Sequence, residues 1–265
     1  MILSASYLNG FAPRDGQPLY PSLWKGCVGA WNPGLGPSGL VLRDQSGFSR
    51  HGTLTNGPTF AADQGRYAMN FDGTDDYVDV GSGIDTNNIT RMTLSAWVRN
   101  NVVAANKGIV GWWNGSNGIF IQSQIVGTDG FLFVSSGTSY GHVDFTTINT
   151  WTHVVQVYDG TLTGDGNRLR AFINGIQRTI VFDASSVPSS TSSTGNGIIG
   201  NVRTLSRYWN GFIDDVRIYN RALSPNEIRT LANRRGIAYE MAPRRRSSVQ
   251  VTTNRRRRII IGGNR

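Results

Sequence analysis

The stretch Gly211-Phe212-Ile213-Asp214-Asp215-Val216-Arg217-Ile218-Tyr219-Asn220-Arg221-Ala222-Leu223-Ser224-Pro225-Asn226-Glu227 decides how this chain is read. Phe212–Tyr219 is rich in β-branched and aromatic residues, the composition of a strand. Ser224 then supplies an N-cap hydroxyl, with Pro225 at the first helical position and Glu227 at the third, which together make a capping box. Gly236 can end the helix. Ile228 and Leu231 give it only a narrow apolar stripe, so it belongs on a surface.

Upstream, short β-branched and aromatic runs alternate with clusters of Gly, Asn, Asp and Ser. Strands are expected at Tyr77–Val80, Met92–Arg99, Ile119–Gln124, Phe131–Ser135, Trp151–Tyr158, Arg168–Ile173 and Gly197–Val202. Within the second, Leu94, Ala96 and Val98 share one face. Asn174-Gly175, between Arg168–Ile173 and Ile176–Val181, is the signature of a type I′ hairpin turn. Asp72-Gly73 marks another turn, and Asp183–Asn196 is a low-complexity loop. Many short strands with one peripheral helix predict an all-β, two-sheet antiparallel sandwich. Trp97, Trp151 and Trp209 are expected in its core, with His153 a structural histidine and Cys27, the only cysteine, a buried thiol.

The formal charge of +9 resides in the last stretch. Residues 234–265 hold ten Arg against one acid, Glu240, while the first 233 residues carry sixteen bases and sixteen acids. A balanced body with a basic end points to a module with a separate anchor, not to a nucleic-acid surface. The expected division is an extended arm over residues 1–23, a sandwich over 24–232 and an Arg-rich docking arm over 233–265. Met1–Gly10 lacks the basic and long apolar regions of a secretory signal, and no stretch is long and apolar enough to span a membrane.

Six segments, in order, resemble the LamG-like jelly roll of the concanavalin A-like lectin/glucanase superfamily. They are Leu42–Gly47 with His51-Gly52, Met69–Val78, Leu94–Val98, Trp151–Val154, Ala171–Gly175 and Gly211–Ser224. The resemblance covers roughly Trp24 to Ala232 and implies a concanavalin A-like jelly roll, a fold shared by enzymes, lectins and inert scaffolds. The enzymes of this fold use paired carboxylates, commonly two Glu on one strand, but Glu occurs here only at 227 and 240. Asp75-Asp76 reads as a turn, and Asp214-Asp215, adjacent on one strand, as pointing to opposite faces. No catalytic residue is assigned, and a divergent glycoside hydrolase is the least favoured function. The resemblance also implies a structural Ca²⁺ held by Asp44 with Asp214 or Asp215. The alternative is an Asx-turn at Asp44 and N–H groups bonded to Asp214, with no metal.

The candidate sugar site is Gly111-Trp112-Trp113-Asn114-Gly115-Ser116-Asn117. Adjacent tryptophans in a strand cannot both face the core, so one is expected at the surface. There a ring stacks on a sugar while Asn114 and Asn117 meet its hydroxyls, with Tyr140 as a further ring. A tryptophan at a protein contact is the alternative. In the C-terminal arm, Arg244, Arg245, Arg246 and Arg255, Arg256, Arg257, Arg258 bracket a β-prone segment, and Ile259, Ile260, Ile261 add an apolar plug. Charge with strand-forming residues suits strand addition to an acidic protein surface; nucleic acid would need charge alone. The expected function is a non-enzymatic structural or adhesion protein of a bacteriophage virion, a head decoration or tail-associated subunit. It would join other virion proteins in a symmetric assembly or homo-oligomer and reach cell-surface glycans. A cellular carbohydrate-binding lectin-type module, exported by a non-classical route, is the alternative.

Overall fold

The structure, a computed structural model, describes residues 18–102, 106–126, 128–136, 139–144, 149–182, 186–202 and 207–241. In chain order the strands are β1 (Cys27–Trp31), β2 (Val41–Leu42), β3 (Gly52–Thr55), β4 (Thr59–Asp63), β5 (Arg66–Asp72), β6 (Tyr77–Gly81), β7 (Arg91–Asn100) and β8 (Gly108–Trp113). They continue as β9 (Gly118–Val126), β10 (Thr128–Ser136), β11 (Ser139–Asp144), β12 (Thr152–Asp159), β13 (Leu169–Ile173), β14 (Ile176–Arg178), β15 (Val181–Phe182), β16 (Gly197–Ile199) and β17 (Asn210–Tyr219). Two helices are described, α1 (Asp165–Arg168) and α2 (Pro225–Leu231).

One sheet has eight strands in the order β14-β13-β12-β7-β17-β5-β4, with β1 also on β17. The other has nine, β15-β11-β10-β9-β8-β16-β6-β3-β2. All pairings are antiparallel. The core lies between the sheets, built by the two-residue period of each strand. Leu94, Ala96 and Val98 of β7 and Ile213, Val216 and Ile218 of β17 meet Trp112 of β8, Ile119 and Ile121 of β9, and Phe131 and Phe133 of β10. The Asn174-Gly175 turn has φ of 51° and 78°, as a type I′ hairpin requires.

A second apolar cluster covers the other face of the eight-stranded sheet. Leu23, Leu223, Ile228, Leu231 and Ala238 pack there on Val155, Val157 and Phe172. Helix α2 carries the expected capping box, Ser224 to the Glu227 N–H and Glu227 back to the Ser224 N–H. Its narrow stripe suffices because it spans only this outer layer.

Three expectations change. Trp97 is buried, yet it lies under α2, its Nε1–H donating to the Leu231 carbonyl at 3.3 Å. Trp151 stands just before β12 and is only half-buried; its Nε1–H donates to Asp63 and the Arg235 guanidinium covers its ring at 4.0 Å. Residues 18–23 and 233–241, expected to be parts of the arms, are packed portions of the body. Leu23 and Ile237 are buried, the Leu19 N–H donates to the Glu240 carbonyl at 2.6 Å, and Pro18 pairs with Met241. The arginine runs Arg244–Arg246 and Arg255–Arg258, with Ile259–Ile261, lie outside the described residues.

Candidate functional site

Register places the candidate sugar residues on the outer face of the nine-stranded sheet. Tyr140 of β11 stands opposite Val134 of β10, Val134 opposite Phe120 of β9, and Phe120 opposite Gly111 of β8. Two residues along β8 from Gly111, on the same face, is Trp113. Phe120 and Val202 form a buried floor, and Trp113 and Tyr140 pack on it, partly exposed. The rings of Trp113 and Phe120 meet edge to face, 5.8 Å apart. Glycine makes this possible: a Cβ on Gly118 would come 2.5 Å from Trp113 Cε3, and one on Gly111 2.1 Å from Phe120 Cβ.

Beside the aromatic row runs a polar one. Gln122 of β9 is opposite Leu132, and Leu132 opposite His142. The Gln122 carbonyl oxygen accepts from Arg207 Nη1 at 2.8 Å, and its amide nitrogen donates to Asn106 Oδ1 at 3.2 Å. Phe120 and Gln122 escaped the sequence reading, although Ile119 and Ile121 facing inward require their neighbours to face out.

Trp112 is wholly buried, its parity placing it in the core, so it offers no stacking surface and only Trp113 of the pair remains. Asn114 Oδ1 accepts from the N–H groups of Ser116 (3.0 Å) and Asn117 (2.7 Å), closing the turn, and Asn114 Nδ2 reaches Thr194 Oγ1 at 3.3 Å. The Asn117 side-chain amide makes no hydrogen bond among the described residues and remains available to a ligand.

The carboxylates expected to hold calcium do not fit a cation. Asp44 accepts four hydrogen bonds: Oδ1 from the N–H of Ala30 and Ser46, both 2.9 Å, and Oδ2 from Ser46 Oγ (2.7 Å) and the Arg50 N–H (3.0 Å). Asp214 and Asp215 do not point to opposite faces. Asp214 is opposite Trp97 and Arg217 opposite Ser95, which leaves one extra residue on β17, a bulge with Asp215 at φ 45°. Both carboxylates therefore meet the segment Arg235-Gly236. Asp214 lies 2.9 Å from Arg66 Nε and 3.6 Å from Arg235 Nη1. Asp215 accepts from Arg217 Nε and the Gly236 N–H, both at 2.9 Å. Wholly buried, Arg217 puts its guanidinium 4.5 Å from the ring centres of both Trp24 and Tyr239. A divalent ion here would face three guanidinium groups. Burial pushes the Asp214 pKa up to about 7 against the pull of Arg66. His153, also buried, has Nε2 2.9 Å from Ser95 Oγ, and burial pushes its pKa down to about 4.

Among the described residues, the acidic group close enough to share an ion is Asp72, Asp75 and Asp76, at the turn after β5. Of these Asp76 accepts from the Asp72 N–H at 3.0 Å and Asp72 from the Thr74 N–H at 2.7 Å, as turn carboxylates do.

Residues 72–229 match the profile of the concanavalin A-like lectin/glucanases superfamily. No curated protein sequence matches the chain. Domain 4 of AbnA, a GH43 extracellular arabinanase from Geobacillus stearothermophilus solved in complex with arabinotriose, is similar in structure. Its TM-score is 0.59 at 17% identity, over 78% of this chain and 98% of that one. The receptor binding domain of botulinum neurotoxin D gives 0.56 at 12% identity over 79% of this chain. The binding domain of Paraclostridial Mosquitocidal Protein 1 gives 0.53 at 15% over 80%. This chain spans about half the length of those two, 53% and 52%. At these identities the likeness is one of fold.

Proposed function

The chain belongs to the concanavalin A-like lectin/glucanase superfamily, and we propose that it acts as a non-enzymatic, glycan-binding adhesion module. The observation that carries this reading is the outer sheet face, where partly exposed Trp113 and Tyr140 pack on the buried floor of Phe120, with the Asn117 side-chain amide in the turn after Trp113 and with Arg207 and His142 alongside. Sugar rings present apolar C–H faces and a rim of hydroxyls, and an aromatic row next to amide and guanidinium groups matches both. A GH43 arabinanase domain solved with arabinotriose and toxin receptor-binding domains share the architecture, which supports a binding role.

A hydrolytic role lacks such support. Glu227 is held by Arg221 at 2.7 Å and caps α2, and Glu240 pairs with Arg234. The site of action we propose is a bacteriophage virion, with the basic C-terminal arm docking the module on an acidic partner. Support comes from the concentration of charge beyond Ala242 and from the pairing of Pro18 with Met241, which brings both ends of the body together on the outer layer.

Glycan-array binding by the full chain, compared with W113A and Y140A, tests the sugar face. Both substitutions are expected to lower binding at least tenfold with the fold intact. Unaltered binding, or release of reducing ends from β-glucans, overturns the reading. Deleting residues 242–265 should leave a folded protein that no longer enters particles; normal incorporation refutes the anchor.

A further inference from the structure

Away from the aromatic face, a cleft of about 360 Å³ opens where the chain leaves one sheet for the other. Thr179-Ile180 links β14, an edge of the eight-stranded sheet, to β15, an edge of the nine-stranded sheet. Ile180, Phe182 and Leu169 give the cleft apolar walls, and Gln177, Thr179, Arg170 and Arg178 give it polar groups. Among the described residues, none that lines it is acidic. The nearby Asp165 carboxylate accepts from the Val187 N–H at 2.7 Å.

Arg170 is the distinctive group. Its Nε is shut off from solvent and has no hydrogen-bond partner, and the guanidinium makes no ion pair among the described residues. Folded proteins rarely leave a cationic donor partly desolvated and unpaired. Arg170 lines the cleft, so a ligand there can meet its charge through the terminal nitrogens.

We propose that this cleft is a second ligand site that takes the carboxylate of an acidic sugar. A planar guanidinium matches a carboxylate in shape and charge. The walls of Ile180 and Phe182 suit the apolar face of a pyranose ring, and Gln177 and Thr179 suit its hydroxyls. A bare inorganic anion would use the charge and leave the apolar walls in contact with water. This site does not depend on the aromatic face or on the reading drawn from it.

The test is titration of the full chain, followed by amide chemical shifts, with glucuronate, glucose and inorganic sulfate at constant ionic strength. Glucuronate is expected to saturate in the millimolar range and shift amides around Arg170 and Gln177. Glucose and sulfate should bind at least tenfold more weakly. R170Q should weaken glucuronate at least tenfold, and R170K should restore only part of the loss, since lysine lacks the planar fork. T179V, on an exposed position, should weaken it several-fold without moving the melting midpoint, which keeps the test decisive if R170Q misfolds. Equal binding of sulfate marks a general anion site and overturns the proposal. So does glucuronate binding that survives in R170Q and T179V, or that is lost in W113A instead.

Discussion

Two truncations nine residues apart are expected to behave as different proteins. Ending the chain after Met241 keeps every contact of the described body; ending it after Ala232 strips the cover from β17. The second cut removes Ile237, which is 3% exposed, a loss of about 2–3 kcal/mol. It removes the Gly236 N–H from buried Asp215, a hydrogen bond to a charged group worth about 1.5–3 kcal/mol. It also leaves Asp214 with Arg66 as its remaining cationic partner, where it had Arg235 as well. Trp24 loses the Ala238 carbonyl that its Nε1–H donates to at 3.0 Å, and the Leu19 bond to Glu240 goes too. Together these approach on the order of 5 kcal/mol, comparable with the whole stability of an ordinary domain. Urea unfolding followed by tryptophan fluorescence reads the difference. The 1–241 chain should match the full chain in midpoint, while 1–232 should be largely unfolded without denaturant. Coincident midpoints would show that the segment carries no stability and that the buried acids do not need it.

Other consequences are open to simpler tests. His153, with its pKa pushed down to about 4, contributes stability that is present above its unfolded value near 6.5 and lost as pH falls through 4. The stability difference between wild type and H153Q should therefore shrink by about 3 kcal/mol from pH 7 to pH 4, and a constant difference refutes it. G200A should lower the melting midpoint by at least about 2–4 °C, since Gly200 has φ +83° and a Cβ there would lie 2.3 Å from the Phe71 ring; an unchanged midpoint denies the close approach. Millimolar calcium should leave the midpoint where chelator leaves it, because Asp44, Asp214 and Asp215 already have partners; a rise that D44N or D214N abolishes reverses that conclusion.

The sandwich was legible because its signals are local. Asn174-Gly175 can adopt its turn, Ser224 and Glu227 can cap a helix, and β7 alternates, whatever the rest of the chain does. The site was legible only in part. Two adjacent tryptophans showed that one must face outward, but which one depends on where β8 enters its ladder, a matter of pairing with β9 and β16. The bulge at Asp215 hides for a similar reason: two adjacent aspartates look the same whether the strand is regular or carries one residue too many. The partners that exclude a cation from Asp214 come from Arg66 and Arg235, far apart in sequence. Trp151 reads as core until one sees that it precedes its strand by a residue and falls to Asp63 and Arg235. For the cover over β17, the visible trace was Ile237-Ala238-Tyr239, an apolar triplet between arginines that net charge alone conceals.

If the module is anchored through its termini as proposed, the bridge between Pro18 and Met241 decides how it bears load. Both ends of the described body meet there, so such an anchor would hold the sandwich on one side. A pull between the two terminal segments parts this one short pairing before it reaches a hydrogen bond of either sheet. A pull from a ligand seated on Trp113 and Tyr140 must instead pass through the full thickness of both sheets to reach the bridge. The first geometry yields like a clasp and the second resists like a laminate, the pairing that the proposed anchored, glycan-gripping module would need.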